Sequence, residues 1–133
     1  MKPNEEEILN RLNQYGIGLV WDDYQYNRFD AENSNMIVEI KDRNSFYNDT
    51  MIEFEKFSYN LLYSQLVNKM FIYAVRMDGY IYLFNINRLY NVGYDFKWEW
   101  KLIEATTHFE RRDLVKKFVG YIDLKLGDKI NAK

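Results

Sequence analysis

The chain contains no cysteine, one proline (Pro3), one histidine (His108) and six glycines. Absent cysteine, disulfides and thiolate zinc sites are excluded, and an intracellular setting is the default expectation. A single histidine excludes a histidine-rich metal site and argues against a Ser-His triad. No stretch approaches the ~18 consecutive apolar residues of a membrane span. The opening segment MKPNEEEILN is acidic where a secretory signal is basic and then apolar, so a cytoplasmic protein without membrane association is expected. With so little proline and glycine there is no linker-like stretch, and no repeat or low-complexity tract interrupts the chain. One domain over residues 1–133 is the expected organisation, long enough to enclose a core and too short for two. Whatever chemistry is present rests on carboxylates, lysines and water.

Hydrophobic residues make up 47% of the chain and aromatics 18%, a composition of folded rather than disordered proteins. The net charge of −2 carries no overall nucleic-acid signature. Its distribution is uneven: residues 1–96 hold 9 basic and 14 acidic side chains, whereas residues 97–133 hold 9 and 6. A basic extension on an acidic domain can contact phosphates, and it can equally be a solvated helix face. The abundance of Asn, Lys, Ile and Tyr points to an AT-rich coding source such as a phage.

Hydrophobic periodicity predicts a first helix from about Asn4 to Tyr15, with Asn4 and Glu7 as a capping pair and Gly16 as its stop. Residues 17–25 read as a strand, and residues 28–32 and 36–42 as the arms of a hairpin. A long helix is expected from about Thr50 to Asn68, opened by Thr50 and Glu53, with Phe54, Phe57 and Leu61 on its apolar stripe. KMFIYAVR and YIYLFNIN read as strands joined at Asp78-Gly79. KWEWKLI adds a strand, and HFERRDLVKKFVGYI reads as a last helix through Phe109, Leu114 and Phe118. The expected class is α/β or α+β, a central mixed sheet flanked by helices in the order α-β-β-β-α-β-β plus a C-terminal extension.

The segment RFDAENSNMIVEIK, residues 28–41, concentrates the chemistry. A two-residue turn at Ser34-Asn35 pairs residues whose numbers sum to 69, which sets Asp30 opposite Glu39. Alternation then puts Phe29, Ala31, Met36, Val38 and Ile40 on one face, and Asp30, Glu32, Ile37, Glu39 and Lys41 on the other. Two carboxylates opposed at about 5 Å repel one another. A divalent cation with a preference for hard oxygen ligands, Mg²⁺ or Mn²⁺, reverses that cost. Lys41, two residues on, stands where an ammonium can orient a water or neutralise charge on a phosphate. The alternative is a solvated charged face, with Arg28 and Lys41 offsetting the two acids.

With its aspartate, acidic-x-lysine strand and element order, the chain resembles the PD-(D/E)XK nuclease superfamily over about residues 5–87. Phe29 replaces the proline frequent in that motif. The resemblance implies a restriction-endonuclease-like core, Asp30 and Glu39 as metal ligands and Lys41 as the catalytic lysine. Members also supply a glutamate from the first helix. Of Glu5, Glu6 and Glu7, Glu5 lies on the Ile8/Leu9/Leu12 face and can reach the sheet, although first-turn acids also simply suit the helix dipole. The small size, the early helix ending in glycine and the hairpin are similar to phage junction-resolving endonucleases, which implies branched DNA as substrate and a homodimer.

Gln65 falls near the centre of the long helix's apolar stripe. There it is either an active-site glutamine, as in exonuclease-like branches of the superfamily, or a hydrogen-bonded core amide. Asp22 and Asp23 read as solvated strand-edge residues, and Asp42 faces away from Glu39. Arg111, Arg112, Lys116 and Lys117, within the basic extension of about residues 97–133, form a cluster able to grip backbone phosphates of DNA. Two functions remain open on the sequence: a Mg²⁺- or Mn²⁺-dependent DNA endonuclease, and a nuclease-fold protein that no longer cuts and binds or inhibits another protein.

Overall fold

The computed structural model describes residues 1–24, 26–104 and 114–133. Helix α1 (Pro3–Asn13) begins with proline in its first turn, where no amide donor is missed, and buries Ile8, Leu9 and Leu12. Its cap is Lys2 rather than Asn4: the Glu5 carboxylate accepts the Lys2 amide at 3.2 Å. Asn4 lies inside the helix and donates to Asp42 at 3.0 Å. The strand expected over residues 17–25 is confined to β1 (Val20–Trp21).

Strands β2 (Ala31–Glu32) and β3 (Met36–Asp42) form the hairpin in the register expected, with Ala31 opposite Val38 and Glu32 opposite Ile37. Asn33 fixes the turn, its side-chain oxygen accepting the amides of Asn35 and Met36 at 2.8 and 2.9 Å.

The long helix starts later than expected. Residues Asp49–Glu53 form strand β4, in which Thr50 and Ile52 alternate inward, and helix α2 covers Phe54–Val67. Strands β5 (Met70–Met77) and β6 (Tyr80–Asn85) follow, joined at Asp78-Gly79 with φ of 53° and 79°. That backbone is the one a two-residue hairpin turn demands and the reason for Asp-Gly there. Helix α3 (Ile86–Asn91) is capped by the Asn85 side chain, and β7 (Glu99–Glu104) occupies the expected strand.

The last expected helix is corrected. Residues Leu114–Asp123 form strand β8, and residues 105–113, with His108 and Phe109, lie outside the described residues. The apolar spacing of Leu114 and Phe118 fits a helix, but Val115, Val119, Tyr121 and Ile122 favour a strand. Pairing with β4 and β7 decides for the strand, and Gly120 leaves room for the Trp98 ring, from which a Cβ would lie 2.8 Å away. A short 3-10 turn (Leu124–Leu126) leads into β9 (Asp128–Asn131).

The strands form a six-stranded mixed sheet, β1-β2-β3-β5-β6-β9, and a three-stranded sheet, β4-β8-β7. Strand β3 runs parallel to β5, so α2 is the crossover between them. One face of the large sheet takes α1, whose Ile8, Leu9 and Leu12 meet Val38, Ile40, Ala74 and Ile81. The other takes α2 and α3, with Phe57, Leu61 and Leu89 against Ile37, Phe71, Tyr73 and Phe84. The molecule is thus a mixed α+β protein with helices on both faces, in the expected order apart from β4 and the elements after β6. Among the described residues no helix is long and apolar enough to cross a membrane.

Candidate active site

The site lies where the hairpin ladder ends. Asp30 still donates its amide to the Val38 carbonyl at 2.8 Å. Its carboxylate, not its carbonyl, accepts the Ile40 amide at 2.7 Å. Because regular pairing stops here, Phe29 turns to the α2 side and packs with Ile37 and Tyr63. This corrects the expected shared face with Ala31, which packs against α1 instead.

Glu39 points to the α2 side and is 4% exposed. Its face is covered by a helix, so the alternative of a solvated charged face does not hold for this residue. Lys56, in the first turn of α2, places its ammonium 3.0 Å from Glu39 Oε1. Burial, and after it the charge of Asp30, push the Glu39 carboxyl up to about 8 against the pull of Lys56 and Lys41. Asp30 is also raised, by burial first and by Glu5 in addition, while the Ile40 amide, Lys56 and a hydrogen bond from Glu39 oppose the rise. The charge of Asp30 thus reaches Glu39, and Lys56 is the cation that pairs with Glu39 directly.

Lys41 follows on the same strand face. Burial lowers its pKa, the neighbouring charges of Arg43 and Lys56 lower it further, and Glu53 and Glu39 act against them. Burial also acts to lower Lys56, yet Glu39, Glu53 and Asp30 outweigh it and hold that ammonium charged. Glu53, at the end of β4, is raised by burial but brought down overall by Lys117, 2.7 Å away, and by Lys56 and Lys41. Lys56 and Glu53 were hidden from the sequence by the misplaced start of the helix. The E-x-x-K spacing of Glu53 and Lys56 is the signal that marks them.

The other expected site residues divide. Glu5 is half-buried and close enough to Asp30 to raise its pKa, while its own carboxylate serves the Lys2 amide. Gln65 is exposed and lines a cleft with Leu62, Tyr90 and Trp98, so it is not the expected core amide. The buried polar residues of α2 are Asn60, which donates to the Arg28 carbonyl, and Ser64. Lys116 and Lys117 are adjacent on a strand and face opposite ways, which corrects the expected single helix face. Arg111 and Arg112 lie outside the described residues. Asp42 faces α1 as expected, gripped by Arg76 through two bonds of 3.0 Å.

Asp30 and Glu39 are the hard oxygen donors that a divalent cation would use, and burial, which raises both, is a cost that such a charge would lower. Among the described residues no group of three or more Asp, Glu or His is placed to enclose a metal. The protein share would be the two carboxylates, a number that suits Mg²⁺, which keeps waters and takes phosphate oxygens. No protein-family model and no curated protein matches this chain.

Proposed function

We propose that this protein is a divalent-metal-dependent DNA endonuclease with a restriction-endonuclease-like core of the PD-(D/E)XK type. The observation that carries the reading is the buried Glu39 with the Asp30 carboxylate at the end of the hairpin ladder near it and Lys41 two residues on. A Mg²⁺ or Mn²⁺ ion held by Asp30 and Glu39 would supply Lewis acidity for phosphodiester hydrolysis. Lys41, held among Arg43, Lys56, Glu53 and Glu39, orients a water or neutralises charge on the phosphate. Lys56 keeps Glu39 fixed under α2. Branched DNA and a homodimer are what the likeness to junction-resolving enzymes adds.

Cleavage of linear, nicked and branched DNA, with an RNA control, tests the reading in Mg²⁺ and Mn²⁺. Glu39→Ala and Lys41→Ala, each checked for folding by circular dichroism, are expected to lose about 10²–10³-fold or more of the rate. Cleavage surviving in both variants sinks the mechanism.

One observation favours a second reading. Lys56 already neutralises Glu39 within the protein, as an internal substitute for a cation would. On that reading the fold no longer cuts and serves as a protein-binding module or inhibitor. Thermal denaturation with Mn²⁺ separates the two: a rise in Tm that Asp30→Asn abolishes supports the enzyme, and no response supports the binder.

A further inference from the structure

The β7–β8 ribbon is an arm rather than part of a sheet body. Residues Glu99–Glu104 pair with Leu114–Val119, whereas β4 pairs only with Val119–Asp123. The first half of β8 thus has β7 as its sole strand partner among the described residues. An isolated ribbon of this kind is marginal in water. This one is rooted by aromatics: the Phe118 ring lies 5.4, 5.9 and 5.1 Å from those of Phe54, Trp98 and Trp100.

What the arm leaves in solvent is unusual for a surface. Trp100 is 65% exposed, Leu102 59% and Leu114 61%. Trp100 pairs with Phe118 and Leu102 with Lys116, so an aromatic pair and an ammonium share one face. On the opposite face Lys101 stands directly across from Lys117. Opposed like charges destabilise a ribbon, and here Glu53, 2.7 Å from Lys117, and the Tyr121 ring under Lys101 offset the repulsion. Lys117 also bonds Glu53, which neighbours Lys41 and Lys56, so the arm leads directly into the carboxylate pair. Beside the root, a cleft of about 530 Å³ is lined by Trp100, Phe118, Lys116 and Lys117 together with the acids Glu53 and Glu55.

Exposed rings beside lysines match the two halves of a nucleotide, base and phosphate. A duplex keeps its bases stacked on one another and offers such rings nothing. Resting on the nuclease reading, we infer that the arm seats an unpaired, single-stranded stretch of nucleic acid adjoining the scissile phosphate. Trp100 stacks on a base, and Lys116, on the same face, holds the backbone.

The test uses the full chain carrying Glu39→Gln, in EDTA, so that nothing is cut. Fluorescence anisotropy compares a labelled oligothymidylate with a duplex of equal length. The oligothymidylate is expected to bind more tightly, Trp100→Ala to weaken it about tenfold, and Trp100→Phe to restore most of the loss. Lys116→Ala should lower the slope of log affinity against log salt by about 0.7 for the single strand. A preference for duplex, or unchanged oligothymidylate affinity in Trp100→Ala, overturns the arm proposal and leaves the nuclease reading standing. If the Glu39→Gln protein binds neither probe and the parent chain cleaves no nucleic acid, both fall together.

Discussion

Asp30 does two jobs that different substitutions separate. Its carboxylate replaces a backbone acceptor for the Ile40 amide at 2.7 Å, and its charge faces Glu39. Asp30→Asn keeps an oxygen for that amide and removes the charge. It should leave stability within about 1 kcal/mol of the parent while abolishing any Mn²⁺-dependent rise in Tm. Asp30→Ala leaves the amide without its acceptor and should cost about 1–3 kcal/mol in urea denaturation. The register of Ala31 with Val38 and of Glu32 with Ile37 was legible because the Asn-Ser-Asn turn and alternation leave one pairing that buries Val38. The carboxylate-for-carbonyl exchange was not, since it breaks the ladder without changing the hydrophobic pattern. Lys56 was missed for a different reason. Its position opposite Glu39 depends on where α2 begins, and the segment before it can be read two ways.

That segment, Thr50 to Glu53, shows how an element is misread. A threonine three residues before a glutamate has the form of a capping box, and Phe54, Phe57 and Leu61 continue a helical stripe. Yet Thr50 and Ile52 also alternate with period two, and pairing with Ile122 and Gly120 of β8 decides the matter. A distant strand, invisible to any local window, overrode the cap. The same contact explains why β8 was mistaken for a helix, since each segment looks helical until the other is beside it. The strand assignment carries its own test. Thr50 is 1% exposed and its hydroxyl has no hydrogen-bond partner among the described residues. Thr50→Val removes an unsatisfied group at nearly constant shape and should stabilise the protein by about 1 kcal/mol in chemical denaturation. Were Thr50 a helix cap, the same change would cost about 1 kcal/mol.

Across the whole molecule the charges buried against the sheet set opposite demands on pH. On the α1 side, Asp42 is held below its ordinary pKa by Arg76 and Asn4, and at the α2 end Glu53 is held down by Lys117. Folded pKa values below the unfolded ones add stability at higher pH that is lost as pH falls beneath about 4. Glu39 has the reverse sign. Its pKa rises from 4.5 unfolded to about 8 folded, so the folded protein holds a proton that the unfolded chain has released. Stability is therefore greatest below 4.5 for this group and is lost as pH rises toward about 8, and the raised Asp30 beside it acts in the same sense. The sum is a maximum on the acid side of neutrality, near pH 5, with a decline toward pH 8 on the order of 2–3 kcal/mol. Urea denaturation across pH in EDTA measures it. Glu39→Gln should flatten the alkaline limb while leaving the acid limb in place, because Lys56, partly exposed, can turn to solvent. A parent protein whose stability rises from pH 5 to 8 would show that the fold does not raise the Glu39 pKa. In Mn²⁺ the alkaline limb of the parent should rise and that of Glu39→Gln should not, because a cation replaces the Glu39 proton only where both carboxylates remain.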